Sequence, residues 1–127
     1  MSRWVTVLSA VGVAVVVNLL VFAAGRAAGG DFTFTRDGSA VTVDAVTVAG
    51  FSAVPLGVGL ALLAVLVGRV RWVSTIAGVV APLLAIVTIF VMTIPVDLDE
   101  VSTVALACCH LTLVPISLLA IRRIQAA

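Results

Sequence analysis

The sequence predicts an all-α membrane protein: an antiparallel bundle of four transmembrane helices, with a short extracytoplasmic β-hairpin between the first two. Three observations carry this reading: an apolar excess, four apolar runs of spanning length, and an Asp-Gly turn between two alternating segments. Hydrophobic residues make up 63% of the 127 and charged residues 10%, and the mean hydropathy is +1.36. A soluble domain is nearer half apolar and about a quarter charged. The length suits one domain over residues 1–127. The net charge of +1 supplies no broad basic field, so nucleic acid is not an expected partner.

The expected helices cover about 4–25, 45–68, 72–95 and 101–121. The first three runs hold no charged side chain, and the fourth holds one ionisable group of note, His110. Each exceeds the roughly 20 helical residues that cross a hydrocarbon core. A membrane barrel would need shorter, alternating strands. The first run is longer than the apolar region of a cleaved signal, so it reads as a span.

The arginines set the orientation. Arg3, Arg69, Arg71, Arg122 and Arg123 fall on one side. Arg26 and Arg36 fall on the other, with all the acids: Asp31, Asp37, Asp44, Asp97, Asp99 and Glu100. The positive-inside rule then places both termini in the cytoplasm and the hairpin outside the plasma membrane. Trp4 and Trp72, beside cytoplasmic arginines, read as interfacial anchors.

The external segment, about 31–44, contains Asp37-Gly38, a dipeptide suited to a type I′ turn. In the register that pairs Arg36 with Ser39, Phe34 faces Val41, Phe32 faces Val43 and Thr33 faces Thr42. Phe32, Phe34, Val41 and Val43 then form an apolar face, expected to rest on the bundle or to dock a partner. Asp44 reads as the N-cap of helix 2, and Asp99 and Glu100 suit the positive end of helix 4. Asp97, Asp99 and Glu100 are also a weak candidate for a divalent cation.

Small residues recur every fourth position at Ala49, Ala53, Gly57 and Ala61 of helix 2, and at Ala77, Ala81 and Ala85 of helix 3. Helix 1 carries Ala10, Ala14 and then Asn18. Such spacing lets helices approach closely in lipid, within the chain or between copies. Pro55, Pro82 and Pro115 each free a carbonyl one turn earlier.

The candidate ligand residues are few. Asn18, Ser52, Thr88 and His110 fall at similar depth and form a candidate intramembrane polar cluster. An intramembrane ionisable group is a functional hypothesis in its own right, although a neutral His110 bonded to Asn18, Thr88 or a proline-freed carbonyl is the simpler role. Adjacent positions among Cys108, Cys109 and His110 project about 100° apart around a helix, so the three do not easily share one metal. No catalytic residue, cofactor ligand or metal set is recognisable. A small multidrug exporter would need a carboxylate within helix 1, and a quinone-linked thiol enzyme a Cys-x-x-Cys pair; the sequence has neither.

The Asn18–Gly29 ending of helix 1, the external Asp31-Phe-Thr-Phe34 segment with its Val/Thr-rich return strand, the arginine-rich link and His110 together resemble a group of actinobacterial four-helix membrane proteins of unknown function. The resemblance implies architecture and an envelope location, without an activity. The hairpin is similar to the claudin-like plan only by analogy, because that family's first-loop Trp and Cys markers are missing. The expected role is therefore a non-enzymatic accessory or interaction subunit, in contact with the bilayer and with another membrane protein or a second copy. The alternatives are a small-molecule or lipid carrier using the polar cluster, and a haem or redox protein centred on His110.

Overall fold

A computed structural model describes residues 1–127. Helix α1 runs Arg3–Ala27, strands β1 and β2 cover Thr33–Arg36 and Ser39–Thr42, and helices α2, α3 and α4 cover Ala45–Leu66, Val73–Thr88 and Glu100–Ala126. A π-helical turn at Ile89–Thr93 prolongs α3. With that turn included, all four helical segments are long and apolar enough to cross a membrane.

The helix ends follow local chemistry. The Ser2 side chain caps α1, Asp44 caps α2 by accepting the Thr47 N–H, and Asp99 caps α4 by accepting the Ser102 N–H. Pro55, Pro82 and Pro115 lie inside their helices without ending them. The third helix leaves α geometry after Thr88, and its π turn ends two residues before Pro95, which cannot donate to a continuing helix. Helix α4 runs five residues past the expected end at 121, because Ile121 and Ile124 turn inward while Arg122 and Arg123 stay exposed.

The packing order is not the chain order. α1 packs between α2 and α4, α3 lies against the far side of α4, and the consecutive pair α2 and α3 touches only slightly. On α1 the buried line is Val7, Ala10, Ala14, Asn18 and Gly25, spaced for one helix face. The main apolar core joins Val7 and Ala10 to Leu60, Leu63 and Ala64 of α2 and to Ala120, Ile121 and Ile124 of α4. It occupies the end of the bundle that holds both termini. Large apolar side chains elsewhere point outward, among them Leu8, Leu20, Val46, Phe51 and Phe90, as expected for helices that are apolar all round.

The small residues divide by helix. Ala49, Ala53, Gly57 and Ala61 are half-buried and flank the fully buried line of α2, which is Val48, Ser52, Leu60 and Ala64. At Gly57 an added Cβ would stand in ordinary van der Waals contact, 3.4 Å from Val11 Cγ2 of α1. On α3, Ala85 is buried, and Ala77 and Ala81 pack against the core.

The hairpin has the register read from its turn: Thr33 with Thr42, Phe34 with Val41, Thr35 with Ala40 and Arg36 with Ser39. Val43 N–H donates to Phe32 O at 2.8 Å and extends the ladder by one pair. Asp37 and Gly38 both have positive φ, 51° and 78°, as a type I′ turn requires.

Candidate functional site

Chemistry-bearing residues gather in three places: the seat of the hairpin, a buried node at Asn18, and a His110–Thr88 pair on the other side of α4.

The hairpin is anchored through Phe32. This residue is fully buried and has φ +56°, a left-handed conformation uncommon for a bulky side chain. Its ring tilts against Phe22 with centroids 4.7 Å apart. It also fills the space left by two glycines: a Cβ on Gly25 would lie 2.8 Å from Phe32 Cζ, and one on Gly30 would lie 3.0 Å from Phe32 Cε2. The Phe32 N–H donates to Ser102 Oγ at 2.8 Å, and the Ser102 hydroxyl donates to the Asp99 carboxylate. Asp99 also accepts the Asp31 N–H at 3.3 Å, and Asp97 accepts the Thr35 N–H at 2.6 Å. The start of α4 therefore grips the hairpin through two carboxylates and one hydroxyl.

This seat changes how the four hairpin candidates read. Phe32 is enclosed by its own chain, so it is not part of an outward docking face. Phe34 and Val43 are half-buried, and Val41 is exposed. Phe22, Gly25, Gly30 and Ser102 were not marked as site residues by the sequence, and Asp97 and Asp99, marked there as part of a weak cation candidate, here accept backbone N–H groups of the hairpin. The clue was the Asp99–Ser102 spacing, which marks an N-cap and so brings a hydroxyl to the helix end.

The geometry makes the anchor pH-dependent. The Thr35 N–H holds the Asp97 carboxyl below the usual range, and the Ser102 hydroxyl and N–H do the same for Asp99. Asp44 is held down by the Thr47 hydroxyl and N–H. A carboxylate with a lowered folded pKa stabilises above its unfolded value and loses that contribution as pH falls through the folded one. The hairpin's order, followed by the dispersion of the Thr33–Thr42 amide resonances, should therefore be flat near neutrality and fall below about pH 4. Asp97→Asn should remove part of that fall.

The contact between α1 and α4 beside this anchor is also tight. A Cβ on Gly25 would stand 2.8 Å from Ala105 Cβ as well as from the Phe32 ring. Gly25→Ala should lower stability by about 1 to 3 kcal/mol despite its better helix propensity. Ala105→Gly should return part of the loss, giving a non-zero coupling in a double-mutant cycle of thermal unfolding in detergent.

Asn18 is fully buried where α1, α2 and α4 meet. Its amide nitrogen donates to Ser52 Oγ at 2.7 Å and to Cys109 O at 3.1 Å, and its amide oxygen accepts the Thr112 hydroxyl. Ser52 donates in turn to Val48 O at 2.8 Å. The node is closed on itself, with each proton directed to an acceptor, as a buried polar network requires.

Thr88 and His110 lie apart from this node. The Thr88 hydroxyl is 3.1 Å from His110 Nδ1, and it is also 2.8 Å from Leu84 O and 2.9 Å from Ala85 O. The four residues expected as one cluster are thus two pairs on different faces of α4: Asn18 with Ser52 toward α1 and α2, and Thr88 with His110 toward α3. One position along a helix turns a side chain by about 100°, so Cys109 faces the first pair and His110 the second. Cys108 is exposed and Cys109 buried, and neither is in a disulfide.

An open, mostly apolar groove of about 430 Å³ runs between the ends of α1 and α4 beside the anchor, lined by Val21, Ala24, Ala28, Val101 and Val104 with Glu100 at its edge.

No curated protein and no solved structure matches this chain. A family model does, over residues 1–126. With four apolar helices, a seated hairpin and two separate polar pairs, the chain belongs to the DUF6069 family, a family of unknown function.

Proposed function

We propose that this protein is a non-enzymatic accessory or interaction subunit of the plasma membrane, crossing it four times with both termini in the cytoplasm. The resemblance noted in the sequence favours an actinobacterial envelope as its setting. The orientation rests on five inner arginines against two outer ones.

One observation carries the interaction role: the two edges of the hairpin are treated differently. In β1 the outward N–H groups of Thr33 and Thr35 are taken by the Asp31 and Asp97 carboxylates. In β2 the whole of Ser39–Thr42 is exposed. The Phe32–Val43 bond makes Phe34–Val41 a hydrogen-bonded pair, so Ala40 and Thr42 turn their backbone groups away from β1. A short strand held stiffly at its base, with one edge closed and one open, suits addition of an extended segment from a partner outside the membrane.

The test is an affinity purification in gentle detergent, comparing wild type with Ala40→Pro, which removes one outward donor while leaving the Phe32 anchor intact. A stoichiometric membrane partner captured by wild type and lost with Ala40→Pro is the expected result. Identical captures from both, or an isolated chain in both, would defeat the proposal.

The carrier reading is weaker than the sequence alone made it. Asn18 and Ser52 spend their hydrogen-bonding capacity on each other and on the backbone, so they offer little to a passing solute.

A further inference from the structure

We propose that His110 and Thr88 form a binding site, open to the bilayer between α3 and α4, for the hydroxyl group of a lipid-soluble phenol. The inference follows from the positions of the protons. Thr88 Oγ1 is 2.8 Å from Leu84 O and 2.9 Å from Ala85 O. Two carbonyl oxygens that close to a hydroxyl oxygen require the hydroxyl proton between them, since oxygens without one would repel. That proton is then not available to His110. The contact of 3.1 Å between Thr88 Oγ1 and His110 Nδ1 must be made by a proton on Nδ1. The neutral ring has one N–H, so this tautomer leaves Nε2 as a bare lone pair.

No protein group donates to Nε2: the ring's one hydrogen bond is through Nδ1. The chain also holds no sealed side-chain nitrogen or oxygen that lacks a partner. His110 is half-buried, so Nε2 must reach the outer surface of the helix pair. His110 lies ten residues into α4 and Thr88 five residues from the end of the π turn, or roughly 15 Å and 8 Å from the helix ends. If the four helices are spans, a premise taken from the proposed function, that surface faces hydrocarbon, where water and headgroups do not satisfy an acceptor.

An unpaired acceptor in hydrocarbon is costly, and a matching donor there must itself dissolve in lipid. A charged donor fails that condition. A hydroxyl on an apolar body meets it, and a phenol is a stronger donor than an aliphatic alcohol. Exposed apolar side chains on the adjacent face of α3, such as Leu84 and Val87, offer contact to the ring.

The chain has a single histidine, so ¹⁵N-histidine labelling reports His110 alone. The protein is placed in phosphatidylcholine nanodiscs, and amide exchange protection of the four helices is measured first; a failure there concerns the spanning premise, not the site. In the free protein, the expected spectrum has a proton-bearing Nδ1 and a bare Nε2. Titration with 4-octylphenol should shift Nε2 saturably and leave Nδ1 nearly unmoved. Thr88→Val should weaken that binding several-fold, because the tautomer is no longer held. A proton on Nε2 with a bare Nδ1 in the free protein would overturn the inference. So would an Nε2 shift that depends on protein-to-disc ratio, which marks a second copy as the donor, or a non-saturating shift equal in Thr88→Val, which marks partition into the bilayer alone.

Discussion

Phe32→Ala should release the hairpin while leaving the four helices folded. The Phe32 side chain has no exposed surface, and truncating a buried Phe costs about 3 to 5 kcal/mol. The loss falls on the hairpin, because an isolated pair of strands is marginal in water. A local opening made easier by about 3 kcal/mol is roughly a hundredfold more populated. Tryptic cleavage after the exposed Arg36 should accelerate by about that factor, with helicity by circular dichroism unchanged. Phe32→Gly separates the two roles of the residue. It loses the same ring but relieves the left-handed backbone, worth roughly 1 kcal/mol, so its cleavage should be slower than that of Phe32→Ala. Equal cleavage in wild type and Phe32→Ala would show that the ring does not hold the hairpin.

Asn18→Asp should be the most damaging conservative change in the helices. The amide nitrogen stands 2.7 Å from Ser52 Oγ and 3.1 Å from Cys109 O. Ser52 already commits its proton to Val48 O, and Cys109 O has none to give. A carboxylate oxygen in that place would face two acceptors in a fully buried site, at a cost of roughly 3 kcal/mol or more. Asn18→Leu tests the reason. It removes the amide, but Ser52 keeps Val48 O and Thr112 keeps Cys109 O at 2.8 Å, so no partner is left unsatisfied. The expected order of thermal midpoints in detergent is wild type, then Leu, then Asp. An Asp variant as stable as Leu would mean that the node tolerates a second acceptor and is not closed as described.

Much of the architecture was legible in the sequence because it depends on local rules. The four helices follow from apolar runs of spanning length with nothing in them to stop a helix. The three prolines did not mislead, since they sit inside long apolar runs and their effect on the backbone is local. The hairpin register followed from Asp37-Gly38, because a two-residue turn of fixed type leaves one way to pair the flanking residues. The caps Asp44 and Asp99 were legible for the same reason: an N-cap reaches only two or three residues along its own chain.

Which helix faces which depends on matching surfaces that are far apart in sequence, and there the sequence was silent. It placed Asn18, Ser52, Thr88 and His110 at one depth, but depth does not specify rotation about the helix axis. The tertiary structure divides them across two faces of α4 through the 100° step between Cys109 and His110. It also turns Phe32 inward, since only the folded chain brings Gly25, Gly30 and Ser102 together to receive one ring and one N–H. By itself the sequence determined the elements, their ends and the hairpin pairing, all set by contacts within a few residues. The tertiary structure alone decided which polar groups are satisfied within the chain and which, like His110 Nε2, are left to meet something else, because hydrogen-bond satisfaction is a property of neighbours in space.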